Sequence, residues 1–210
     1  MAFVFLDLDG TLTDPKPGIT GSVIHALHEL GFEAPSPDNL EWVIGPPLLW
    51  SFEKLGVADP HAALALYREH YQKSGLFEAS VYAGIVEALS EIRDSGHRLF
   101  LATAKPHIYA KRITAHFGLS SFMEAEFGPE LDGTRNDKGE LLKFALEQIA
   151  QSQPAVMVGD RENDFRAARV IGAAAIGVDW GYGTDDELAT ADRICRAPSD
   201  LPNVIAELVG

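Results

Sequence analysis

Cysteine is nearly missing from this 210-residue chain: Cys195 is the only one. No intrachain disulfide can form and no cysteine-built metal site is available, which suits a reducing compartment. Basic residues are also scarce, 17 Lys and Arg against 31 Asp and Glu, giving a formal charge of −14. A surface of that sign repels nucleic-acid polymers, which are met by Lys/Arg patches, so any bound phosphate must be held by a few local groups. No apolar run is long enough to cross a bilayer. The N-terminus passes from Phe3-Val4-Phe5-Leu6 straight into Asp7, without a basic leader or an apolar stretch of secretory length. The expected setting is therefore the cytoplasm, with no membrane partner. Low-complexity tracts and internal repeats are lacking too, and 46% hydrophobic with 23% charged residues excludes a disordered chain. The length suits one α/β domain with a modest insertion, or two small domains.

The apolar run Phe3–Leu6 reads as a buried strand that ends in the turn Asp7-Leu8-Asp9-Gly10-Thr11. Helical spacing follows through Ile19, Val23, Leu27 and Leu30 until Gly31, a C-terminal stop. Two more helices are expected, through Leu48, Leu49, Phe52 and Leu55, and through Ala63, Tyr67 and Tyr71, so that Pro15 to Val81 reads as all helix. Beyond Tyr82 helices and strands alternate. Helices are expected at Ile85–Ser95, Ile108–Phe117, Lys138–Ile149 and Asn163–Ile171, and strands at Arg98–Thr103, Met123–Phe127, Ala155–Val158 and Ala174–Val178. Alternation of this kind specifies right-handed βαβ units and a parallel sheet. The expected fold is a Rossmann-like α/β core, residues 1–14 and 82–210, with a small all-helical cap, residues 15–81, inserted after the first strand.

Open parallel sheets bind ligands beyond the carboxyl ends of their strands. Polar residues follow the apolar runs at four places: Asp7 and Asp9; Thr103 and Lys105; Lys138, opening a helix; and Asp160 with Asp164 after Val156-Met157-Val158-Gly159. Four carboxylates, a hydroxyl and two ammonium groups suit a hard cation and a phosphoryl group, because Mg²⁺ takes oxygen ligands and lysine neutralises transferring oxygens. Lys143 competes with Lys138, but five residues into the helix a solvated face suits it better.

Asp7-Leu8-Asp9-Gly10-Thr11, Thr103, Lys138 and Gly159-Asp160-Arg161-Glu162-Asn163-Asp164 occur in the order of the four motifs of the haloacid dehalogenase (HAD) superfamily, which the whole chain strongly resembles. A helical insertion between the first two motifs is similar to the C1 subgroup, which includes phosphoglycolate phosphatases and nucleotidases. The resemblance implies a Mg²⁺-dependent phosphomonoesterase that acts on a small phosphorylated metabolite, as a monomer or weak homodimer. In that reading Asp7 attacks phosphorus to give an aspartyl-phosphate, and Asp9 protonates the leaving oxygen and then deprotonates water. Thr103 donates to a phosphate oxygen, and Lys138 pairs with Asp7 and the phosphate. Asp7, Asp160 and the backbone carbonyl of Asp9 ligate the metal. Asp164 supports the site by orienting Lys138 or a metal-bound water, Lys105 is a second candidate cation, and Arg161 and Glu162 are exposed. Gly45, in Ile44-Gly45-Pro46-Pro47-Leu48, resembles a cap loop that faces the site, while a rigid turn between cap helices explains it equally well.

Neighbouring chemistries fit less well. A dehalogenase does not need the second acid, Asp9, and a phosphonate hydrolase needs a cap lysine for an imine that Lys16, Lys54 and Lys73 do not recognisably supply. A phosphomutase, or a phospholigand-binding protein without activity on the same fold, is the alternative. Trp42, Phe52, Tyr67 and Tyr71 recur at helical spacing, which favours cap core over a shelf for a nucleobase.

Overall fold

The computed structural model describes residues 1–209. Gly210, the last residue of the expected core, lies outside them. The chain divides into two compact units, Asp14–Ser80 and a larger one formed by Met1–Thr13 with the chain from Val81 onward.

The larger unit is built on a six-stranded sheet. β1 is Phe3–Leu6, β4 Arg98–Ala102, β5 Ala125–Phe127, β6 Ala155–Gly159, β7 Ala174–Val178 and β8 Arg193–Cys195. They lie in the order β5-β4-β1-β6-β7-β8, and neighbours pair in parallel. All four side chains of β1 are buried, as a central strand covered on both faces requires. Phe3 and Phe5 pack on Phe100 of β4 with ring centroids 5.5 and 5.4 Å apart. The strand order reverses at β1: the chain goes outward through β4 and β5, then returns to β6 on the opposite side. This reversal opens a crevice beyond the carboxyl ends of β1, β4 and β6. The crossover helices are α4 (Ile85–Asp94), α5 (His107–His116), α6 (Lys138–Ile149) and α7 (Glu162–Val170), each within a residue or two of its sequence expectation. A short α8 (Asp185–Leu188) and α9 (Leu201–Val209) complete the unit.

The smaller unit holds α1 (Lys16–Glu29), a 3₁₀ turn at Pro37–Val43, α2 (Leu48–Lys54) and α3 (Pro60–Lys73). Phe52, Tyr67 and Tyr71 are buried in it, the two tyrosines stacked at 5.3 Å, so these rings form core and not a shelf. The all-helix reading of Pro15 to Val81 needs one correction. The chain leaves and re-enters the sheet unit through β2 (Thr13–Asp14) and β3 (Ser80–Val81), which pair as a two-stranded ribbon too short for any sequence period. Among the described residues no helix is long and apolar enough to cross a membrane.

Candidate active site

β1 delivers Asp7 to the crevice. The Asp7 backbone N–H donates to the Val158 carbonyl of β6 at 2.9 Å, so the ladder fixes this residue from its neighbour strand. Its Oδ1 accepts the Leu8 N–H at 2.8 Å, and Oδ2 lies 2.9 Å from the Lys138 ammonium. Lys138 is the first residue of α6, a start fixed by Asp137, whose side chain accepts the Glu140 N–H at 3.0 Å. Its ammonium also pairs with Asp164 Oδ1, while Asp164 Oδ2 accepts the Arg161 N–H at 3.0 Å and closes the first turn of α7. Asp164 thus spends both oxygens on the protein.

Burial makes this arrangement unusual. Asp164 is fully enclosed, and Asp160, Lys138 and Asp7 are 1%, 4% and 6% exposed. One oxygen from each of Asp7, Asp160 and Asp164 falls within 4.8 Å of the others. Three carboxylates therefore crowd together, and Lys138 pairs with two of them, Asp7 and Asp164. Burial pushes the Asp160 carboxyl up to about 8, with Asp164 and Asp7 adding to the effect. It pushes Asp164 up to about 6 against the pull of Lys138. Burial also works against charge on Lys138, but Asp164 and Asp7 outweigh it and hold the ammonium above the ordinary lysine value.

The second acid of the turn sits apart from this cluster. Asp9 Oδ2 pairs with the Lys105 ammonium at 2.7 Å, and the Lys105 backbone N–H donates to Thr103 Oγ1 at 3.2 Å. Burial raises the Asp9 carboxyl, and Lys105 opposes the rise. Gly10 follows with φ near +79°, where a Cβ would collide with the Asp160 carboxylate, so the turn and the second carboxyl group pack together only with glycine between them.

Two buried oxygens, Asp9 Oδ1 and Asp160 Oδ1, have no hydrogen-bond partner. An orphaned buried acceptor is costly, and a cluster short of positive charge with oxygen donors alone fits a hard divalent cation. In a chelator, the two carboxyls raised above their ordinary 3.8 contribute stability that is complete below about pH 4 and lost as pH rises through about 6 and about 8. The urea midpoint of the metal-free protein is expected to fall between about pH 5 and about pH 8, and Mg²⁺ is expected to flatten that slope. A midpoint that rises over this range in chelator would contradict it.

The crevice thus brings together Asp7, Asp160, Asp164 and Lys138, with Asp9, Lys105 and Thr103 in a second group on the same unit. Gly45 belongs to the other unit, in a turn at φ near 102° just before α2, a backbone shape that favours glycine by itself. Arg161 departs from its expected exposure: its Nε donates to Glu187 Oε1 at 3.0 Å and its side chain is 19% exposed. Glu162 is exposed. The sequence reading also passed over Trp180-Gly181-Tyr182-Gly183, which follows β7. Tyr182 N–H donates to Asp160 Oδ2 at 2.8 Å and the Trp180 indole to the Thr11 carbonyl at 3.0 Å. The signal was a Gly-x-Gly just past a strand end, on the side of the sheet where the acids lie.

A switched parallel sheet with a buried lysine–carboxylate cluster beyond its strand ends defines a doubly wound α/β protein of the Rossmann-like class. Residues 4–178 match the model of the haloacid dehalogenase-like hydrolases, and the chain belongs to that family. It is 43% identical over 189 residues to a 5′-nucleotidase of Pseudomonas aeruginosa, covering 88% of this chain and 86% of that protein. It is 37% identical over 185 residues to the tyrosine-protein kinase PtkA of Mycobacterium tuberculosis, covering 87% of this chain and 64% of that longer protein. The crystal structure of a predicted phosphatase from Clostridium acetobutylicum superposes with a TM-score of 0.92 at 36% identity, covering 99% of both chains. The chain is accordingly a HAD-superfamily phosphatase, an enzyme of phosphoester hydrolysis.

Proposed function

We propose that the enzyme hydrolyses a nucleoside 5′-monophosphate or a phosphate monoester of similar size, by way of an aspartyl-phosphate on Asp7. The observation that carries the mechanism is the enclosed Asp7–Lys138–Asp164 array at the end of β1, with Asp160 beside it. Asp7 Oδ2 would attack phosphorus and form the acyl-phosphate bond as the P–O bond to the leaving group breaks. Asp9 would give its proton to the leaving oxygen. A carboxyl raised by burial carries that proton more readily at neutral pH than an exposed one. Water would then attack phosphorus, Asp9 would take its proton, and Asp7 would return as a carboxylate with release of inorganic phosphate. Lys138 would balance the charge of Asp7 and of the transferring oxygens, and Thr103, whose Oγ1 accepts from Lys105 N–H, would turn its own proton toward the phosphoryl group. Lys105 would hold Asp9 in place between its two tasks.

Mg²⁺ is the cation we assign to Asp7, Asp160 and the Asp9 backbone carbonyl, where it would supply positive charge against the crowded acids and the substrate phosphate. The substrate class rests on the 43% identity to the Pseudomonas 5′-nucleotidase. Every monoester presents the same phosphoryl group to Asp7, Thr103 and Lys138, so changes at these residues are expected to affect all esters alike. A panel of a nucleoside 5′-monophosphate, phosphoglycolate and an aryl phosphate tests this. The nucleotide is expected to give the highest kcat/KM, and excess chelator to abolish turnover of all three esters. Full turnover in chelator would remove the cation from the mechanism, and a preference for phosphoglycolate would remove the nucleotide.

A further inference from the structure

Asp160 is anchored from a segment that contributes no acid, base or cation of its own. Beyond β7, Tyr182 N–H donates to Asp160 Oδ2 at 2.8 Å, which leaves Oδ1, a buried atom with no hydrogen-bond partner, as the oxygen available to a cation. Trp180, two residues earlier, donates its indole N–H to the Thr11 carbonyl at 3.0 Å, so the segment is tied to the turn that carries Asp7 and Asp9. Gly181 lies between these two bonds. A Cβ there would collide with the Gly10 carbonyl and with Asp160, and one at Gly183 would strike the Asp160 carbonyl. The segment therefore lies in van der Waals contact with both the first turn and the last acid of the cluster.

We propose that Trp180–Gly183 is a positioning strap that holds the Asp160 carboxylate in the orientation that binds the divalent cation. The physical reason is the rotamer freedom of an aspartate. A carboxylate with one oxygen fixed by a backbone donor presents the other at a set place, whereas an unanchored one must be ordered when the ion arrives. The indole tether fixes the donor relative to the turn, and the glycine lets the backbone come close enough to donate. The inference rests on the cation assigned above, and its test reads binding directly.

Mg²⁺ binding to the metal-stripped protein would be followed by calorimetry for wild type, Trp180→Phe, Gly181→Ala and Thr184→Ala. Phenylalanine keeps the ring and removes the tether. Thr184 caps α8 and makes no hydrogen bond to Asp160, so it controls for damage to the same stretch of chain. Loss of a group that orients a metal ligand typically weakens binding about 10- to 100-fold. We expect a loss of that order for Gly181→Ala, a smaller one for Trp180→Phe, and an unchanged Mg²⁺ affinity for Thr184→Ala. The thermal midpoint of metal-free Trp180→Phe should stay close to wild type. If Gly181→Ala does not fold, Trp180→Phe decides alone. Wild-type binding with Trp180→Phe equal to it would overturn the strap and leave the cation in place. No Mg²⁺ binding by the wild type would overturn the cation assignment and the strap with it.

Discussion

Asp7→Asn is expected to fold as wild type does and to lose turnover by a factor on the order of 10⁴ or more, the scale seen when a catalytic nucleophile is removed. The fold should survive because the asparagine carbonyl can still accept the Leu8 N–H, and because the Asp7 backbone bond to Val158 does not involve the side chain. The amide cannot form the acyl-phosphate, and its NH₂ would face the Lys138 ammonium, donor against donor. Lys138 keeps its contact with Asp164, so the cation stays buried with a partner. Steady-state rates on an aryl phosphate, with circular dichroism as the check on folding, measure this. Wild-type turnover in Asp7→Asn would place the nucleophile elsewhere.

Lys138→Met is expected to harm stability as well as rate. It leaves Asp7 and Asp164 without their shared ammonium, next to Asp160, in a largely buried place. Removing one partner from a buried ion pair costs about 3–5 kcal/mol, because the remaining charge is uncompensated. The buried carboxyls would answer by binding protons, so the loss should be larger at about pH 8 than at about pH 5, and Mg²⁺ should restore part of it. Rates on nucleotide and aryl esters should fall in parallel, since Lys138 is assigned to the phosphoryl group they share. Urea unfolding at both pH values, with and without Mg²⁺, measures the first claim. Near-wild-type stability and rate together would point to Lys105 as the working cation.

Asp7, Lys138, Asp160 and Asp164 could be placed near one another before any coordinates because each stands where an apolar run stops or an amphipathic helix starts. In a parallel sheet such positions share one edge of the molecule. Lys138 was expected beside Asp7, but how the cluster shares its protons was not legible. Nothing in the spacing decides whether Asp164 reaches Lys138 or a metal-bound water, or tells that its other oxygen accepts the Arg161 N–H and that Lys105 reaches Asp9, because these bonds depend on side-chain direction across three crossovers. β8 escaped notice for a different reason: Arg193 and Ile194 are exposed on an edge strand, so it has no buried apolar run to announce it. The strap at Trp180 was invisible because its action runs through a backbone N–H, which every residue but proline possesses.

The central place of β1 has a consequence for how the protein is made. Phe3 pairs with Arg98 on one side and Ala155 on the other, so β1 finds its second neighbour only after roughly 150 more residues have left the ribosome. At about 5–20 residues per second that interval is on the order of ten seconds. Until β4 emerges Phe3-Val4-Phe5-Leu6 has no partner, and until β6 emerges it keeps one open edge, a short apolar segment of the kind that seeks other strands. Asp14–Ser80, by contrast, packs on residues that are contiguous in sequence and need not wait. The residue assigned to attack phosphorus is therefore carried by the strand whose pairing is completed late in synthesis, and a nascent chain cut short before β6 would hold Asp7 with no Val158 carbonyl to fix it.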